Sequence, residues 1–308
     1  MPPEGLDGIS RCGTMFEKVL FSTDFSEYAE TALHCIAGFP GIREVVLFHG
    51  VEEIHSPRGG GAIPGTFYRP GDLLREEERT LAHLKRDLRV TPVMKASSDI
   101  PGAIIAAAEE HGASPIVMGA RGKSLVGEIP LGSVTRAVLR RTRTSVLIMR
   151  HRVIDGLKGR TFEMFCPPIL SRVLCPTDFS ECAENAIALL TATKGVGEVI
   201  LLHVVSQGET EGEIDEAVRA AQHELESVRR DLTAQGMDVR TLVSIGDPAR
   251  EITRTADEED TSVIWMSSHG RGWFRELLLG HTASAVAMQA SRPVMVVRMP
   301  EKGEETRH

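Results

Sequence analysis

The chain has 308 residues, 42% hydrophobic and 25% charged, which is the composition of folded domains with apolar cores and is long enough for two of them. A net charge of −8 and a pI near 5.8 speak against a nucleic-acid partner, and no apolar run reaches the ~20 residues that cross a bilayer. Five cysteines without a CxxC pair or metal-ligand spacing read as reduced thiols, hence a cytoplasmic setting and no metal site.

Residues 1–15 carry Gly and Pro without an apolar core and read as a tail. A first unit covers 16–150. Its β-rich run Lys18 to Ser22 precedes a helical stretch from about Glu27 to Ala37, and Glu44 to Gly50 reads as a second buried strand. His55 to Gly71 is rich in Gly and Pro and reads as a long irregular loop. Asp72 to Leu88 has the pattern of a charged amphipathic helix, Val90 to Lys95 of a third strand, Pro101 to His111 of an Ala-rich helix and Pro115 to Gly119 of a fourth strand. A helix over about Gly132 to Arg141 and a strand over Ser145 to Met149 complete the unit. Short apolar strands separated by helices predict an α/β fold: a doubly wound, five-stranded parallel sheet covered on both faces. A linker over 151–171, whose Phe162, Met164 and Phe165 are expected to pack on one unit, leads to a second unit over 172–299 and a tail over 300–308.

The second unit repeats the first. VLFSTDFSEYAETAL (Val19 to Leu33) matches VLCPTDFSECAENAI (Val173 to Ile187) at ten of fifteen positions with a constant offset of 154. The offset persists through VVLFHGV and VILLHVV, then falls to 148 where SPIVMGARG meets TSVIWMSSHG. Six residues are thus missing from the second copy, between its second and third strands. A match ordered this way identifies a tandem duplication of one Rossmann-like unit.

The strongest chemical signal is Gly119-Ala-Arg-Gly122, nine residues, then Gly132-Ser133, lying between an apolar strand and a helix. Glycines let backbone approach a phosphate, and amides near Gly132, Ser133 and Val134 at a helix N-terminus favour an anion. The same residues would equally serve a turn and a helix cap. Asp24 invites a second structural reading as an N-cap, with Glu27 as its capping-box partner. Gly122-Lys123-Ser124 imitates the end of a P-loop, but Val117 stands where its first glycine should be.

The VLFSTDFSE start and the G-x2-G-x9-G-[ST] spacing together resemble the universal stress protein family over nearly all of both copies. The resemblance implies a binder of ATP or AMP, with Mg²⁺ accompanying a triphosphate. It implies Asp24 and the Gly50 backbone at the adenine, Met118 and Gly119 along the ribose, and Gly122, Gly132, Ser133 and Val134 at the phosphates, with Arg121 adding charge. Ser22 departs from a proline common in the family, which Pro176 keeps. The second copy retains Asp178, Gly270 and Gly280 but has Val204 for Gly50, Ser267 for Gly119 and His281 for Ser133, and is expected to bind weakly or not at all.

These residues predict a nucleotide-binding stress-response regulator without a catalytic group. The alternatives are a slow ATP hydrolase and a nucleotide-free adaptor or dimerisation protein. The resemblance also implies that the two units pair through their last strands within one chain; association of two chains into a homodimer is compatible with the sequence.

Overall fold

The computed structural model describes residues 15–53, 69–120, 131–156, 159–164, 168–206, 210–270 and 279–298. The first unit is built from β1 (Lys18–Ser22), α1 (Glu27–Ala37), β2 (Glu44–Glu52), α2 (Pro70–Leu84), β3 (Arg89–Ser97), α3 (Ile100–His111), β4 (Ile116–Gly119), α4 (Ser133–Arg141) and β5 (Val146–Met149). β6 (His151–Gly156) and β7 (Gly159–Met164) follow. The second unit is β8 (Arg172–Pro176), α5 (Glu181–Thr191), β9 (Glu198–Val205), α6 (Glu211–Ala234), β10 (Asp238–Ile245), α7 (Pro248–Glu258), β11 (Val263–Ser267), α8 (His281–Gln289) and β12 (Val294–Val297).

Ten strands form one sheet in the order β10-β9-β8-β11-β12-β5-β4-β1-β2-β3. Within each unit every pairing is parallel and the order is third, second, first, fourth, fifth, as in a doubly wound fold. At the seam β12 and β5 run antiparallel, with Met295 opposite Leu147. Successive side chains of a strand point to opposite faces, and the core follows. Val19, Phe21, Val45 and Leu47 enter one apolar layer, while Leu20, Val46 and Phe48 enter the other. Each layer draws on both units, so the inner strands are buried on both faces, while the edge strands β3 and β10 stay largely half-buried or exposed.

Local chemistry sets the helix starts. Ser26 and Ser180 cap α1 and α5 by accepting from the amides of Ala29 and Ala183, and Asp99 and Asp247 cap α3 and α7. Gly112 closes α3 in the left-handed region at φ 57°.

The structure corrects several expectations. Helix α2 begins at Pro70, inside the predicted loop, and ends at Leu84 rather than Leu88. The predicted linker contains an antiparallel pairing of β6 with β7, a separate two-stranded sheet. Val90 corresponds to Val239 in the register of the third strands, and β10 is one residue shorter than β3. One of the six missing residues therefore falls at or after the third strand, not before it. Cys175 and Cys182 are free thiols, but Cys35 is disulfide-bonded, against the reading of all five as reduced.

Candidate functional site

The order of strands reverses at β1, which lies between β2 and β4. Register places the chain ends around it at one level: Ser22 pairs with Phe48 on one side and Met118 on the other. Asp24, Gly50 and Ala120 each follow two residues later. The Thr23 amide donates to the Phe48 carbonyl at 2.9 Å, closing the β1–β2 side of this crevice. In open α/β sheets ligands bind beyond the carboxyl ends of the strands at such a reversal.

Asp24 occupies a tight turn that both copies share. Its Oδ1 accepts from the Ser26 amide at 3.1 Å and the Ser26 hydroxyl at 2.6 Å, and Ser26, not Asp24, caps α1. The N-cap alternative for Asp24 is thereby removed. Phe25 sits at φ 56° and its counterpart Phe179 at φ 58°, a conformation that costs a non-glycine residue energy and persists only where the surroundings impose it. The surroundings here are aromatic and polar. The Phe25 ring lies on His49 with centroids 4.2 Å apart, and His49 Nδ1–H donates to the Thr23 carbonyl at 2.9 Å. His203 repeats both contacts with Phe179 and Thr177.

Gly50 lies in β2, where a Cβ would stand 2.9 Å from two methyl carbons of Ile100. Met118 and Gly119 end β4, Gly132 is the N-cap of α4, and Ser133 and Val134 are its first residues. No side chain caps α4. The Gly132 amide is not a free donor, contrary to expectation: it donates to the Ala120 carbonyl at 2.8 Å. The amides left without an intrahelical acceptor are those of Ser133, Val134 and Thr135 in the first turn. Arg121 and Gly122 lie outside the described residues.

Two residues of this region belong to no motif of the sequence. Thr135, buried, donates its hydroxyl to the Gly119 carbonyl at 2.9 Å and fixes α4 against the end of β4. Glu77 reaches the Asp24 turn from α2 through the Thr23 hydroxyl.

The second copy keeps the frame and fills it differently. Asp178 repeats the turn, bonded to Ser180 as Asp24 is to Ser26. Its Oδ2 would lie 2.2 Å from a Cβ on Gly270, so the carboxylate rests against that backbone. Ser267 Oγ donates to the His269 carbonyl at 2.6 Å, and Val204 adds a side chain where the first copy has none. Gly280 caps α8 without a side-chain bond, and exposed His281 is the first residue of that helix. Ala283 stands in place of Thr135, so the hydroxyl tie is missing.

The family model described as "Universal stress protein family" matches residues 15–150 and again 170–298. The chain belongs to the universal stress protein family. A universal stress protein of Methanocaldococcus jannaschii, MJ0577, is 31% identical over 152 residues, covering 41% of this chain and 94% of the relative. Another, YxiE of Bacillus subtilis, is 24% identical over 148 residues, covering 42% of this chain and all of the relative. Each such relative therefore corresponds to about one of the two copies. A crystal structure of a universal stress protein from Archaeoglobus fulgidus superposes with a TM-score of 0.64 at 22% identity, covering 94% of this chain and 99% of the other. That likeness is one of fold and extends to the tandem arrangement.

Among the described residues, no helix is long and apolar enough to cross a membrane, and no group of three or more His, Cys, Asp or Glu could hold a metal. Burial pushes the Cys175 thiol up to about 12, which leaves it unreactive.

Proposed function

We propose that this universal stress protein is a cytoplasmic regulator that holds ATP or AMP in its first copy. The observation that carries the reading is the convergence of the Asp24 turn, Gly50 and the start of α4 on one crevice where the strand order reverses. The Asp24 carboxylate is an acceptor for an adenine amino group. The Gly50 backbone, on which Ile100 closes where a Cβ would stand, would face the planar base at the end of β2, with Met118 and Gly119 beside the ribose. Ser133 and Val134 supply amides at the positive end of α4 for phosphate, joined by Arg121 and Gly122. Gly132 contributes space rather than a donor. Mg²⁺ would enter the site with the triphosphate.

The second copy is proposed as a partner unit with little affinity, because Ser267 and His281 stand where the first copy has Gly119 and Ser133. Mass spectrometry of nucleotide that co-purifies with the protein, followed by titration calorimetry with ATP, ADP and AMP, tests both statements. One site per chain is expected. No binding would overturn the nucleotide reading, and two equal sites would overturn the asymmetry.

A further inference from the structure

Glu77 stands in the apolar stripe of α2 between Leu74 and Leu81 and is only 8% exposed. Its Oε1 accepts a 2.8 Å hydrogen bond from the Thr23 hydroxyl, while its Oε2 is buried without a hydrogen-bond partner. Thr23 Oγ1 in turn accepts from the Phe25 amide at 3.0 Å. One hydroxyl therefore joins a carboxyl on α2 to the turn that presents Asp24.

The second copy supplies the comparison. Its turn is the same, with Thr177, Phe179 and His203 making the same contacts. Yet α6 places Val228 between Leu225 and Leu232, at the spacing that Glu77 has between Leu74 and Leu81. Val228 packs on the apolar core. A carboxyl is costly to bury and a valine suffices for packing, so packing does not account for Glu77.

We infer that Glu77 is a positioning residue for the Asp24 turn, and that proton uptake by its carboxyl, relayed through the Thr23 hydroxyl, tunes nucleotide affinity in the first copy only. This rests on the reading that the first copy binds adenine nucleotide.

The surroundings fix the sign. Burial favours the neutral acid, the Thr23 hydroxyl opposes it, and Asp24 and Glu30 reinforce it, so the carboxyl is raised to about 7. Asp24 faces it from the turn and Glu30 from α1; His49 of β2 approaches through the Thr23 carbonyl. The charged residues of β3, Arg89 and Lys95, are paired with Glu44 and Glu110. The outer cleft between α1 and α2 is lined by His34, Asp72, Arg75, Glu76, Arg79 and His83. A bound nucleotide brings negative phosphates and excludes water from the turn, and both effects strengthen proton binding at Glu77. By linkage, binding takes up a proton and tightens as pH falls through neutrality.

Titration calorimetry of the full chain with AMP at about pH 6 and about pH 8, in buffers of different ionisation enthalpy, reads affinity and proton uptake together. Amide NMR signals of Phe25 and Ser26 in the ligand-free chain read the turn itself. AMP is expected to bind on the order of three- to tenfold tighter at the lower pH, with proton uptake. The Phe25 and Ser26 signals should shift across neutrality. Glu77→Gln should bind AMP as the protonated wild type does and lose the turn-signal response, leaving in the calorimetry only the pH dependence of the AMP phosphate, whose second ionisation lies near ~6. Glu77→Val, which copies the second unit, provides the same comparison should the buried amide disturb packing. Turn signals that still respond to pH in either variant, or wild-type turn signals that stay fixed across neutrality, would overturn the inference. Turn signals that respond through Glu77 while AMP binds at neither pH would uphold the link and overturn the nucleotide reading instead.

Discussion

The guanidinium of Arg298 donates a hydrogen bond to the main-chain carbonyl of Leu139, reaching from the end of β12 to the last turn of α4 in the other unit. Arg150, after β5, makes the counterpart bond to the Ala287 carbonyl of α8. Leu139 and Ala287 are equivalent in the repeat, so the two bonds obey the approximate twofold symmetry of the seam. Both side chains are buried, and burial lowers the Arg298 guanidinium to about 10. The last carbonyls of a helix lack intrahelical donors, and these arginines provide them. Arg298→Ala and Arg150→Ala should each lower stability by about 1–3 kcal/mol in urea unfolding. The double variant should be additive within ~0.5 kcal/mol, since the register sets the two some 20 Å apart along the strands, roughly 3.3 Å per residue. Negligible losses would mean that the cost of burying the cations cancels the bonds.

Gly50→Val tests the proposed base pocket. Val204 occupies the corresponding position in the second copy, so the fold accommodates valine there. In the first copy the new Cβ would press on two methyl carbons of Ile100, which must shift for it to fit. AMP affinity measured by calorimetry should fall at least about tenfold, ~1.4 kcal/mol, with little change in thermal unfolding. Unaltered affinity would remove Gly50 from the site.

Thr135→Ala removes the hydroxyl that holds α4 to the Gly119 carbonyl and recreates the second copy's Ala283. The expected loss of stability is about 1 kcal/mol. Because the same bond orients the first turn of α4, AMP binding should weaken more than adenosine binding, which lacks the phosphate. Equal losses for both would show that Thr135 acts on the fold alone.

Glu77 also predicts a pH dependence of stability. Its folded-state value of about 7 lies above the ordinary glutamate value of 4.5, so the folded protein binds more protons than the unfolded one between those limits. The resulting stabilisation is complete below 4.5 and is lost as pH rises through 7. Glu77→Gln should flatten that fall, leaving the variant about 1–3 kcal/mol better placed above neutrality than below it relative to wild type, after allowance for solvent screening. Urea unfolding across this range measures the difference.

The sheet was readable because its strands are short apolar runs at a constant repeat offset, and the family spacing pointed to Gly119, Gly132 and Ser133. The β6–β7 pairing was not, since HRVIDG and GRTFEM lack a clear alternation and have no counterpart in the repeat to compare. Glu77 does not stand out in the sequence, because a glutamate on a helix that also carries Arg75, Glu76, Glu78 and Arg79 looks like solvated charge. Aligning Leu74 and Leu81 with Leu225 and Leu232 would have exposed it. Arg150 and Arg298 left a fainter trace: each copy has arginine directly after its last strand, IMR and VVR, but only the seam shows which carbonyls they meet.

The antiparallel pairing of β5 with β12 also changes what concentration can do to this protein. Two separate chains joined along such an edge would come apart on dilution, and any ligand response would then depend on how much protein is present. Here the edge and its complement share one polypeptide, so their local concentration is fixed by the connecting segment. The paired state is therefore as available at scarce expression as at abundant expression, and unfolding of the seam should follow unimolecular kinetics.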